Sequence, residues 1–136
     1  MRKISITILV LSILLLTACS SNESSSPQAI GTLESVPAEY AGKTNPLGAE
    51  AATEGANVFH ANCEACHGTQ GHGDGPAGQA IDPRPQNLAA LQTVATDEYL
   101  FWRISEGKYG TSMVGWKGVL KEEQIWQVVA FLRTLK

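Results

Sequence analysis

The sequence is short of most of what a self-sufficient domain is built from. Among its 136 residues are three each of cysteine, tryptophan, tyrosine and phenylalanine, three histidines and two methionines. Its apolar run, Ile4 to Leu16, is shorter than the roughly 20 residues a membrane-spanning helix needs, which argues against a transmembrane anchor. No segment alternates apolar and polar residues over enough positions to make a convincing strand, so the expected fold class is all-α. Ten basic residues stand against thirteen acidic ones, without a basic patch, which excludes nucleic acid as a partner. There is no second C-x-x-C and no H-x3-H. A structural zinc site would therefore have to complete Cys63, Cys66 and His67 with His60 or His72. A thioredoxin-like dithiol would open a helix inside a βαβ pattern, and the strands for one are missing.

What is present starts with an export signal: Arg2 and Lys3, the apolar run, then Leu16-Thr17-Ala18-Cys19, with a small residue where a signal peptidase would cut. These four residues resemble a bacterial lipobox. The resemblance implies that residues 1–18 are removed, that Cys19 is acylated, and that the protein is exported and lipid-anchored to a membrane, facing the periplasm or the cell exterior. An ordinary secretory signal would leave Cys19 as a stray thiol in an oxidising space. Loss of residues 1–18 removes two basic side chains and no acidic one, moving the formal charge from -3 to -5.

Residues 19–48 are rich in Ser, Pro, Gly and single charges, and read as a flexible tether whose Tyr40 and Leu47 could dock locally on the domain that follows. A coil of about 28 residues would span roughly 30 Å. Residues 49–136 are then one small domain, at a size where a protein core alone is marginal.

Three helices are legible in that domain. Ile125, Val128, Val129 and Leu132 recur at i, i+3, i+4 and i+7, with Glu122 and Glu123 before them and Arg133 and Lys136 after, as the helix dipole prefers. A first helix runs from about Ala51 to Asn62, with Gly55 placed to admit another helix closely, at a crossing that would include Phe59 and Phe131. A middle helix, Asp97 to Glu106, has Thr96 as N-cap, Leu100 and Ile104 on one face, and Gly107 to end it.

The stretch "FHANCEACHGTQGHGDGP" carries the chemistry. Cys63-Glu64-Ala65-Cys66-His67 is C-x-x-C-H at the end of a helix, the signature of covalent c-type haem attachment. Spacing of two puts both sulfurs on one helical turn, where they can form thioethers with two vinyl groups, and carries His67 beneath the iron as proximal ligand. A second axial ligand must come from elsewhere, and both Met113 and His72 offer one. Met113, the only methionine after the signal, could equally be a core gap-filler. Gly-Asp-Gly-Pro suggests the Pro76 carbonyl as acceptor for the other ring nitrogen of His67. Arg84, between Pro83 and Pro85, could pair with a haem propionate or lie solvated.

On these residues, and on "GTQGHGDGPAGQAIDPRPQNL", "ISEGKYGTSMVGW" and "EEQIWQVVAFLRTL", the chain over residues 49–136 resembles the class I cytochrome c family, particularly its small bacterial members. The resemblance implies helices packed around one covalent haem c, Met113 as distal ligand, and Trp116 as an aromatic beside the haem pocket. This sequence departs from the family at Val114, where many relatives have proline, and at Lys121, where a serine or threonine commonly caps the last helix. With both axial positions filled, iron would bind no small-molecule substrate, and the protein would be an electron carrier rather than an enzyme. Its partners would be redox protein donors and acceptors. A fixed haem subunit of a larger membrane complex, such as alternative complex III, is the alternative. An open-site peroxidase and a haem-free thiol oxidoreductase are the remaining ones.

Overall fold

The periodicity of the C-terminal segment dictates the architecture, since a helix with that many buried aliphatic residues must have helices to bury them against. In the computed structural model, which describes residues 30–136, the helices are α1 (Ala52–Asn62), α2 (Glu64–His67), α3 (Leu88–Leu91), α4 (Asp97–Glu106) and α5 (Glu122–Leu132), with single 3-10 turns at Ala49–Ala51 and Gly78–Ala80. Among the described residues there is no strand, only an isolated bridge between Lys117 and Leu120. No described helix is long and apolar enough to cross a membrane. Cys19 and the signal segment lie outside the described residues.

The α1–α5 crossing is the keystone of the domain. A Cβ on Gly55 would lie 1.9 Å from the Gln127 carbonyl oxygen and 3.0 Å from Phe131 Cβ, so only glycine lets the two backbones meet there. Next to it the Phe59 and Phe131 rings sit with centroids 5.0 Å apart. Ile125, Val128, Val129 and Leu132 are all buried, as their spacing predicts. Helix α4 packs on α5 through Phe101, whose ring stacks on Trp126 at 4.0 Å. Its ends are those read from sequence: the Thr96 hydroxyl accepts from the Tyr99 N–H at 3.3 Å, and Gly107 stops it with φ 72°.

Lys121 has no acceptor to give the first turn of α5. That end is closed from the other direction, because the Lys121 N–H donates to Gln124 Oε1 at 3.0 Å, the reciprocal half of a capping box.

The tether expectation is corrected for residues 30–48. This segment is a strap laid across the domain. Tyr40 is buried to 4 % exposure, and Ile30, Leu33, Val36 and Leu47 pack against the core. Asn45 donates from Nδ2 to the Trp126 carbonyl at 2.9 Å, and Lys117 and Glu106 meet the Tyr40 hydroxyl. Glu34 is ion-paired to Arg103 at 2.5 Å. Composition pointed the other way because the strap's few apolar residues follow no period: they pack against the core singly rather than as one face. The folded unit thus begins well before residue 49.

Candidate cofactor-binding cleft

Helix α1 ends at Cys63, whose N–H donates to the Phe59 carbonyl at 2.8 Å, and the chain restarts at once as the single turn α2. The His67 N–H reaches the Cys63 carbonyl at 3.0 Å, so both thiols and the imidazole are carried on one turn. All three side chains line a cleft of about 350 Å³ whose wall is mainly apolar: Leu88, Leu91, Leu100, Ile104, Val128 and Leu132 are among its residues. Those positions are drawn from α3, α4 and α5, so the cleft is where the helices would otherwise have met.

Met113 lines the same cleft from the opposite side of the sequence. The loop that bears it is fastened to the end of α4. Lys108 N–H donates to the Met113 carbonyl, Trp116 N–H to that of Ile104 and Lys117 N–H to that of Ser105, each at 3.0 Å. A Cβ on Gly107 would lie 2.4 Å from the Met113 carbonyl oxygen, so the positive φ and the missing side chain are both used at that turn. These bonds supply the stiffness that a proline after Met113 would have given, and Val114 is left 65 % exposed. Trp116 and Arg84 also line the cleft, Arg84 at its exposed rim, where it makes no ion pair among the described residues.

Two sequence expectations fall elsewhere. Pro76 borders a separate shallow hollow with Glu64, Thr69 and Asp74, and it does not hold the histidine. The acceptor at 3.1 Å from His67 Nδ1 is the Gln86 carbonyl. Gln86 follows Pro83-Arg84-Pro85, where two prolines restrict the backbone and hold that carbonyl in place, a better platform than Pro76, which follows Gly75. His72 is exposed and outside the cleft, with Nε2 3.1 Å from the Lys136 carbonyl. His60 is paired on the surface with Glu64 at 2.6 Å.

Electrostatics sort the donor set. Burial lowers the His67 pKa, with the Gln86 hydrogen bond a smaller opposing influence, so the imidazole is neutral at neutral pH. With Nδ1–H directed at Gln86, Nε2 is the nitrogen that keeps a lone pair. Burial, and next the neighbouring Cys66, push the Cys63 thiol up to about 11. Cys63 and Cys66 are both free cysteines. A half-buried thiol that stays protonated is the opposite of the low-pKa thiolate of a dithiol oxidoreductase. Among the described residues no group of three or more His, Cys, Asp or Glu converges as a metal site.

Two buried side-chain nitrogens among the described residues lack a hydrogen-bond acceptor, Gln86 Nε2 and Arg103 Nη2, and both residues line this cleft. Arg103 Nη2 approaches Glu34 as an ion pair but without the alignment of a hydrogen bond. An apolar cleft with orphaned donors in its wall fits a guest with a broad apolar face and acidic oxygens at one edge, which describes a porphyrin with its propionates. Sequence reasoning missed Gln86 and Arg103. A signal for Arg103 existed: it stands at i+3 from Leu100 and beside Ile104, on the buried face of α4.

A family model described as cytochrome c oxidase, cbb3-type, subunit III matches residues 50–132. Among solved structures, a chain of the Kuenenia stuttgartiensis reducing HAO-like protein complex is similar with a TM-score of 0.55 and 34 % identity, over 60 % of this chain and 40 % of that one. This chain therefore spans less than half the length of that relative.

Proposed function

The chain belongs to the cytochrome c family represented by the cbb3-type oxidase subunit III domain, and from that premise we propose that it is a monohaem one-electron carrier held at a membrane by a lipidated Cys19. Haem c is its covalent cofactor, and bound there it supplies the Fe(II)/Fe(III) couple. Cys63 and Cys66 are the thioether residues, His67 the proximal ligand through Nε2, and Met113 the distal ligand. The observation that carries this reading is that these four side chains, 50 residues apart in sequence at the extremes, line one apolar cleft.

The chain's own contribution is to hold donors in place and keep water out. Gln86 fixes the His67 tautomer and ring orientation, and the bonds from Lys108, Trp116 and Lys117 hold the Met113 loop against α4. A ligand set that is preorganised in this way needs little rearrangement when an electron arrives. With haem bound, a neutral thioether and one imidazole as its ligands in an apolar wall would favour the reduced state relative to two imidazoles.

Membrane attachment rests on the lipobox-like Leu16-Thr17-Ala18-Cys19. The similar chain of the Kuenenia complex favours a second reading, a haem subunit fixed in a larger redox assembly. Both are tested on the native protein. Wild type should fractionate with membranes and titrate as a single one-electron couple, and Cys19→Ser exported by an ordinary signal should be soluble with an unchanged haem spectrum. Acyl-free, soluble wild type would defeat the anchor. Stoichiometric co-purification with other redox subunits in mild detergent would replace the mobile carrier by the fixed subunit.

A further inference from the structure

The loop that carries Met113 is partly bonded within itself: the Met113 N–H donates to the Thr111 hydroxyl at 3.2 Å, and its carbonyl accepts from Lys108. The strap then reaches the loop on both sides of Met113. Before it, Lys108 Nζ stands 3.7 Å from Glu34. After it, Lys117 Nζ donates to Glu106 Oε1 at 3.2 Å and to the Tyr40 hydroxyl at 3.4 Å, and that hydroxyl itself donates to Glu106 Oε1.

The two grips are unequal. Glu34 and Lys108 are both about half exposed and their separation is long, and a pair of that kind contributes little. Tyr40 is buried, with its ring centroid 6.0 Å from that of Phe101. A hydroxyl on a ring fixed by packing loses little freedom when it bonds, whereas two exposed chains lose much of theirs to hold one geometry. Tyr40 therefore gives the exposed Glu106–Lys117 contact a rigid point of attachment. Tyr40 does not line the cleft, so any influence on the iron passes through the loop.

We propose that Tyr40 is a positioning residue for the distal ligand: its hydroxyl, through Glu106 and Lys117, latches the Met113 loop closed against the end of α4. This rests on Met113 binding the iron of a covalent haem. The loop's own bonds set where Met113 sits when the loop is closed. The latch sets how often the loop opens, so the strap governs how readily the iron exchanges its distal ligand.

The test uses ferric full-length holoprotein mixed with imidazole at saturating concentration, where the rate of ligand exchange levels off at the rate of loop opening. The unfolding free energy in denaturant is measured beside it. Tyr40→Phe keeps the buried ring and should raise the limiting rate about tenfold, as loss of one hydrogen bond made only in the closed loop would. Lys117→Met cuts the grip on the loop side and should raise it at least as much. The double variant should be no faster than Lys117→Met, because both residues act through one latch. Asn45→Ala is the control: Asn45 Nδ2 fastens the strap to the Trp126 carbonyl on α5, so this variant should lose stability and keep the wild-type limiting rate.

A limiting rate unmoved in Tyr40→Phe overturns the inference, as do effects that multiply in the double variant. It is also overturned if Asn45→Ala speeds exchange as much as Tyr40→Phe for the same loss of stability, since Tyr40 would then only hold the fold. Should Tyr40→Phe fail to mature, Lys117→Met decides: a faster exchange at unchanged unfolding free energy supports the latch, and a wild-type rate removes it. Wild type without the thioether band sinks the distal assignment and this inference with it, whereas the band present with rates unmoved sinks only the inference.

Discussion

His67 and Met113 are delivered to the cleft by unlike means. His67 is placed by a helical turn and a single carbonyl, Met113 by a loop with three backbone bonds near it. The methionine side chain itself is half-buried and contributes little to the core, so its loss is expected to alter coordination more than folding. Met113→Ala should keep covalent haem and lose the weak long-wavelength thioether band of the ferric protein. It should also bind cyanide or imidazole readily, and its unfolding free energy should fall by no more than about 1 kcal/mol. If His72→Ala, instead, removed six-coordination, the distal assignment would be wrong.

Among the elements, the α1–α5 crossing and the strap carry most of the architecture. Gly55→Val would drive a branched side chain into the Gln127 carbonyl, and separating the helices also pulls Phe59 from Phe131. A loss of about 3 kcal/mol or more in chemical denaturation is expected, since overpacking at a backbone contact has no side chain to yield. The strap is fastened at two carboxylates with lowered pKa values: Glu34, through its close ion pair with Arg103, and Glu106, through hydrogen bonds from Tyr40 and Lys117. Because the folded-state pKa is depressed in both, their contribution is present above the ordinary carboxylate range and is lost as pH falls through the folded values. Protection of the amides of residues 30–47, corrected for intrinsic exchange, should therefore fall from roughly pH 4 downward, ahead of the α1–α5 core. Uniform exchange across strap and core at that pH would count against a separately released strap.

At the scale of the whole molecule, the strap changes what a shortened chain should do. Deleting residues 30–47 removes Tyr40 from the core and Ile30 to Glu34 from the cleft wall, so the haem domain should lose stability and admit water. Deleting residues 21–28 leaves both intact. In a membrane-held carrier that deletion should slow electron transfer to membrane partners by restricting reach, with no change in spectrum or melting temperature. In a fixed subunit the rate should not change. Stopped-flow reduction of the membrane-bound protein measures the difference.

Local sequence determined whatever depends on short-range geometry. C-x-x-C-H needs one helical turn, the i, i+3, i+4 pattern of α5 needs one buried face, and Thr96 with Gly107 brackets α4, so each was legible from neighbours alone. The Gly55 crossing was legible because a glycine there has a steric use. Tertiary structure decided the pairings between residues far apart in the chain. The His67 acceptor is Gln86, nineteen positions on, because the two prolines before it hold that carbonyl near the imidazole, whereas the Pro76 turn folds to another side. The strap residues lack any periodicity, and what buries Tyr40 or joins Glu34 to Arg103 is the shape of gaps that exist only once α4 and α5 have packed.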